Sequence, residues 1–149
     1  MALEAVVTDV RNTLVGTFSN IDRWWFEKDA HLRAYRPRNG GWTIDQILEH
    51  IGLTNHYLLI LIEKGVNKAL LNTQQANLAS ESASYRFPYA QLAEIGQHKS
   101  FAWIRPEHME PTGAKPLVEV RQQLTAQVQQ CLTSLDALRN GRACCIKQQ

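Results

Sequence analysis

The sequence has no apolar run longer than Leu58, Leu59, Ile60, Leu61 and Ile62. A helix that crosses a bilayer needs about 20 such residues, so no membrane-spanning helix is expected. Charge of one sign is also scarce. Sixteen basic and 14 acidic residues leave a formal net charge of +2, and the basic ones are scattered rather than gathered into a stripe. Nucleic-acid surfaces draw their affinity from clustered Lys and Arg, so that role has no electrostatic basis here. The three cysteines stand at 131, 144 and 145, a spacing that matches no zinc ribbon or finger. Adjacent residues such as Cys144 and Cys145 rarely close an unstrained disulfide, and Cys131 falls on an apolar helical face as a small hydrophobe. None of the five histidines pairs with another at i+4, which excludes the two-histidine zinc motif of a single helix. Glu4 and Asp9 interrupt the first apolar stretch, so it does not read as a signal peptide. The expected setting is the cytoplasm.

What remains is an ordinary globular composition, 44% hydrophobic and 20% charged over 149 residues. That is enough chain for one domain with a real core. Three long amphipathic stretches carry it. In the first, about residues 3–28, Leu3, Val6, Val10, Leu14, Phe18, Ile21 and Trp25 step by three and four along one face,. Trp25 is expected in the core and Trp24 at the periphery. A connection follows through Arg36, Pro37, Arg38, Asn39, Gly40 and Gly41, whose turn residues end any helix. The second helix, about residues 44–64, begins at Thr43 with Gln46 three residues on, the spacing of a capping box. Gly65 is the expected terminator. His50 borders the buried stripe of this helix, between Ile47 and Thr54 at i−3 and i+4. A ring held there needs a partner, which is either a metal ion or a neighbouring group.

Residues 66–100 lose the periodicity and read as a long crossover with two short helical turns, near 66–71 and 89–97. A connection of that length lets two consecutive helices lie parallel. Residues 101–113 form an aromatic, extended-to-turn segment bracketed by Pro106 and Pro111,. His98, Glu107, His108 and Glu110 cluster in sequence around it but lack a helical metal-ligand register, so solvated side chains are expected there. The third helix, about residues 116–140, starts at Pro116 and carries Leu117, Val120, Leu124, Val128, Cys131, Leu132, Leu135 and Leu138 on one side. Its glutamines and Arg121 are expected on the other. Asn140 and Gly141 should end it, leaving 142–149 as a non-helical or disordered tail.

The motif Trp42-Thr43-Ile44-Asp45-Gln46-Ile47-Leu48-Glu49-His50-Ile51 resembles the start of the second helix in the DinB/YfiT-like superfamily. There Trp followed by Ser or Thr leads into a helix bearing Leu-x-His-Leu or Leu-x-His-Ile. The stretch from Trp103 to Gly113, with a long amphipathic helix behind it, looks like the segment before the third helix in one branch of that group. The resemblance covers about residues 2–141. It implies an all-α, up-down-down-up helical bundle formed by the whole chain as one domain. It also implies a divalent metal, zinc or nickel, held by three histidines, of which His50 matches the one on the second helix. The implied activities are metal-dependent hydrolysis or thiol-dependent transfer on a small-molecule substrate that the sequence does not identify.

The family's other two histidines form a His-x-x-x-His pair on the fourth helix, and this sequence has no such pair. His50 alone does not make a three-histidine site, so the metal is expected to be absent from this chain. The fourth helix itself is expected to be missing or replaced. Three helices built for a four-helix core would leave an apolar strip open. Three explanations compete: a homodimer that lends a neighbour's surface, a middle segment folded back into the gap, or a truncation or frameshift that removed the helix. A non-enzymatic interaction or assembly module using the open face is the alternative to an enzyme.

Overall fold

The first long helix, α1 (Leu3–Ile21), passes without a break into a π-helical turn at Asp22–Phe26. A π turn takes in one residue more than an α turn and rotates everything that follows. The consequence is a correction to the expected core. Phe26 is 6% exposed, while Trp25 is 46% exposed and Trp24 52% exposed. The Trp24 ring instead lies against two cations, with the Arg23 guanidinium 5.3 Å and the Lys28 ammonium 5.6 Å from its centroid. The computed structural model describes residues 3–74, 77–95, 97, 106–140 and 142; the tail beyond Arg142 and the segment 98–105 lie outside them. Among the described residues the chain is all-α, without strands.

A one-turn helix, α2 (Ala30–Arg33), follows, and the connection then runs to α3 (Ile44–Thr73). Arg33 is not a loose loop cation. Its Nε donates to Asp45 at 2.9 Å and its guanidinium reaches the Phe26 and Lys28 carbonyls, tying the connection to the first turn of α3. Helix α3 passes straight through Gly65, the expected stop, so the short helix anticipated at 66–71 is its continuation. The reason is packing. Leu59, Val66 and Ala69 are buried along one line, and their burial outweighs the roughly 1 kcal/mol that a mid-helix glycine costs.

The crossover contains α4 (Leu78–Ser84), which was not expected, and α5 (Tyr89–Ile95), which was. Helix α4 has almost no apolar face; its start is fixed by Asn77, whose side chain accepts from the Ser80 amide at 3.3 Å,. After a 3-10 turn at Glu107–Met109 comes α6 (Leu117–Ala137), with Pro116 at its N-cap. Helix α6 ends three residues before Asn140, which takes the left-handed φ of 60° expected of a chain stop.

Helices α3 and α6 run parallel. Glu49 bonds Thr112 and Gly113 ahead of α6, the Gly52 carbonyl accepts from Gln123 and Gln127, and Glu63 meets Gln130. Helix α1 runs antiparallel to α6: Asp22 pairs with Arg121, Arg11 with Asp136, and Glu4 with the Asn140 amide. This is the up-down-down order that the family resemblance implies and the long crossover permits. One core cluster sits at the end where α3 and α6 start, with Phe26, Leu48, Val120 and Leu124 buried together under Phe18, Ile21, Ile44, Ile51 and Leu117, while Val6, Leu59, Val66 and Ala69 are buried toward the other end. Among the described residues no helix is long and apolar enough to cross a membrane.

Candidate functional site

The start of α3 is built as its sequence predicts. Thr43 Oγ1 accepts from the Gln46 amide at 3.1 Å, and Gln46 Oε1 accepts from the Thr43 amide at 3.1 Å. This capping box fixes the first turn, and hence the direction in which the next turn aims Glu49 and His50. Both face the segment 106–113, which crosses over α3 as a strap.

Glu49 is the residue that sequence reasoning missed. It is 5% exposed, and among the described residues its hydrogen-bond partners come from the strap. Oε1 accepts from the Thr112 amide at 3.1 Å and its hydroxyl at 2.8 Å, and Oε2 accepts from the Gly113 amide at 2.8 Å. A buried carboxylate is tolerable only with such partners. Gly113 takes a φ of 71°, the left-handed region that suits glycine. The signal available in the sequence was its place, one residue after Leu48 on the arc that faces the core.

His50 is half-buried at the edge of the core. Its Nδ1 lies 2.7 Å from the Met109 carbonyl. A carbonyl accepts only, so Nδ1 carries the proton and Nε2 is left with the lone pair in the neutral ring. Nε2 faces the Thr54 hydroxyl at 3.5 Å, and the Trp42 ring stands 4.8 Å away, tilted by 54°. One further turn along, Tyr57 meets the His108 ring of the strap at 4.3 Å. Residues 50, 54 and 57 of α3 therefore line one face beneath the strap, and Glu49 and His50 clamp it through an acceptor and a donor respectively.

The other residues considered from sequence are not gathered here. His56 is exposed and turned away, its ring against Tyr57. His108 is in the strap's 3-10 turn with Glu107, Glu110 follows it, and His98 lies outside the described residues. Among the described residues no three His, Cys, Asp or Glu side chains come together in a way that could hold a metal ion. The donor set around His50 therefore does not fit the three-histidine centre that the resemblance implies.

Two other features face away from the strap. Between α1 and α6 lies an open groove of about 890 Å3, whose walls include Val15, Phe18, Phe26, Val118, Leu124 and Leu132. Val118 is 61% exposed and Val15 43% exposed along it. At its polar edge Arg121 donates to both oxygens of Asp22 at 2.7 Å and bonds Glu27 at 2.9 Å. The bond from Arg121 holds the Asp22 carboxyl below its ordinary range, and Asp22 with Glu27 raises the guanidinium pKa. Deeper in the bundle, burial pushes the Cys131 thiol up, which makes it a poor nucleophile.

Among known protein families, the model of the DinB superfamily aligns with residues 9–144. No curated protein and no solved structure matches the chain.

Proposed function

The chain belongs to the DinB superfamily, and from that premise we propose that it acts as a non-enzymatic assembly module in the cytoplasm, self-associating through the groove between α1 and α6. The observation that carries this reading is the groove itself: about 890 Å3, walled by apolar side chains from two antiparallel helices, with Val15 and Val118 at its rim. Exposed apolar grooves of this kind are where amphipathic helices dock. A second copy of the chain has suitable helices, and two-fold pairing lets each copy cover the other's groove. The Asp22–Arg121–Glu27 cluster marks the polar border of the contact. Sedimentation over a wide concentration range tests it. A dimer that Val118→Glu converts to a monomer is expected; a wild-type chain that stays monomeric at the highest concentration overturns the proposal.

A second reading rests on one observation at His50. The proton on Nδ1 is committed to the Met109 carbonyl, the arrangement that metal-ligating histidines commonly adopt to present Nε2,. On this reading the chain is a metal-dependent hydrolase or a thiol-dependent transferase, with His50 Nε2 as one of its metal ligands. Metal analysis decides it. Stoichiometric zinc or nickel that disappears in His50→Ala supports it, and wild-type protein that takes up neither metal ends it.

A further inference from the structure

The π turn that carries Phe26 into the core leaves the two tryptophans before it outside. A π turn holds more residues than an α turn, so successive side chains diverge less and Trp24 and Trp25 share one side of the surface. They are 52% and 46% exposed, and Leu32 and Tyr35, in and just after α2, are 48% and 62% exposed. None of the four lines the groove between α1 and α6, so this corner is a surface separate from the one proposed for self-association. It lies at the end where α3 and α6 start, since Arg33 pairs with Asp45 and Asp22 with Arg121.

Basic residues that are spread along the sequence as a whole are locally dense here. Residues 23–38 hold five basic and two acidic residues, a net charge of +3 against +2 for the whole chain. Glu27 is already bonded to Arg121, and Arg33 to Asp45. Arg23, Lys28, Arg36 and Arg38 are exposed, with Asp29 as the remaining acid of the segment. The partner that complements such a surface is anionic, and the tryptophans narrow its class. A nucleic-acid base stacks on a free aromatic face, but over the Trp24 ring stand the Arg23 guanidinium at 5.3 Å and the Lys28 ammonium at 5.6 Å. A small molecule needs a concave site, and these side chains line no such groove. A bilayer surface needs neither. Indoles settle at headgroup level, and Lys and Arg beside them meet lipid phosphates.

We propose that the corner formed by the π turn and α2 docks on an anionic phospholipid bilayer. Trp24 and Trp25 enter the headgroup layer, and Arg23 and Lys28 meet the phosphates. The contact is peripheral, because among the described residues no helix is long and apolar enough to cross a membrane.

The experiment is cosedimentation of the full chain with vesicles of phosphatidylcholine alone, or mixed with phosphatidylserine at about three to one. At low ionic strength the chain should pellet with the mixed vesicles and not with the neutral ones, and high salt should release it. Arg23→Gln with Lys28→Gln should weaken binding about thirtyfold, or about fivefold for each charge. Trp24→Phe with Trp25→Phe keeps an aromatic surface and should still pellet, but it should lose most of the quenching of tryptophan emission by brominated acyl chains. All four side chains are exposed, so both variants should fold. A wild type that does not pellet with the mixed vesicles overturns the proposal, including one that binds single-stranded DNA instead. So does binding that the charge variant leaves unchanged, or quenching that survives the Trp24→Phe, Trp25→Phe change.

Discussion

Replacing Glu49 should loosen the strap from α3, and the two replacements Glu49→Gln and Glu49→Ala should do so by different amounts. In the native chain one carboxylate accepts three bonds, from the Thr112 amide and hydroxyl and the Gly113 amide. Hydrogen bonds to a charged group contribute about 1.5–3 kcal/mol each, and they do not add fully when they share one acceptor group. Glutamine keeps the shape and one oxygen, so the two Thr112 bonds survive in weaker form. Its amide nitrogen then faces the Gly113 N–H, donor against donor. That predicts a loss of about 1–2 kcal/mol. Alanine leaves all three donors without a partner in a 5%-exposed site. Water admitted to the space recovers part of the loss, and a total of about 2–4 kcal/mol is expected. Urea unfolding at fixed slope measures both. Amide exchange at Thr112 and Gly113 should accelerate in the same order, alanine beyond glutamine. If both variants unfold within about 0.5 kcal/mol of wild type, the carboxylate is not what holds the strap.

Three further outcomes follow from particular contacts. Gly65 lies inside α3 with nothing within 4 Å of the place a Cβ would occupy, so Gly65→Ala should stabilise the chain by about 0.5–1 kcal/mol in thermal or urea unfolding. Arg121 depresses the Asp22 carboxyl. Its contribution is therefore present above the ordinary carboxylate value of 3.8 and is lost as pH falls below that toward the folded-state value. Asp22→Asn should flatten this part of the acid limb of a Tm-against-pH curve, by no more than about 1 kcal/mol for so exposed a pair. With Cys144 and Cys145 changed to serine, Cys131 should react with a disulfide reagent far more slowly when folded than in urea. Burial disfavours its thiolate,, and equal rates would contradict that.

What could be read beforehand was whatever depends on local chemistry. The Thr43–Gln46 cap, the amphipathic stripes of the three long helices and the turn character of residues 106–113 are all set by neighbours in sequence. The parallel pairing of α3 and α6 was legible through the family resemblance, and the long polar crossover is long enough to permit it. The errors share a different cause. Gly65 and the Trp25–Phe26 register depend on what packs against the helix from elsewhere, and no local periodicity carries that. Gln127 was placed on the wet face by its residue type, although its spacing from Leu124 and Cys131 put it on the buried one. Glu49 was invisible for a related reason: its partners stand 63 and 64 residues away. His50 was found through a family motif, and its position at the core edge was correct, but its closest bond is to a backbone carbonyl that no side-chain pattern records.

The clamp at Glu49 also bears on why the parallel arrangement is stable. Two parallel helices that start side by side bring their positive N-terminal dipoles together, which is unfavourable by itself. In this chain the starts of α3 and α6 are aligned by the strap, since residues 112 and 113 bond to the second turn of α3. Carboxylates stand near both starts: Asp45 in the first turn of α3, where Arg33 pairs with it, Glu119 in the first turn of α6, and Glu49 in the second turn of α3 bonded to residues just ahead of α6. Each carboxylate near a helix N-terminus contributes about 0.3–1 kcal/mol, and more when partly buried. The acid that fixes the strap therefore also offsets the electrostatic cost of the topology it imposes. On this account Glu119→Gln, at the exposed start of α6, should cost more at low ionic strength than at high, because salt screens an exposed charge from the dipole. A cost independent of salt would remove the dipole from the account.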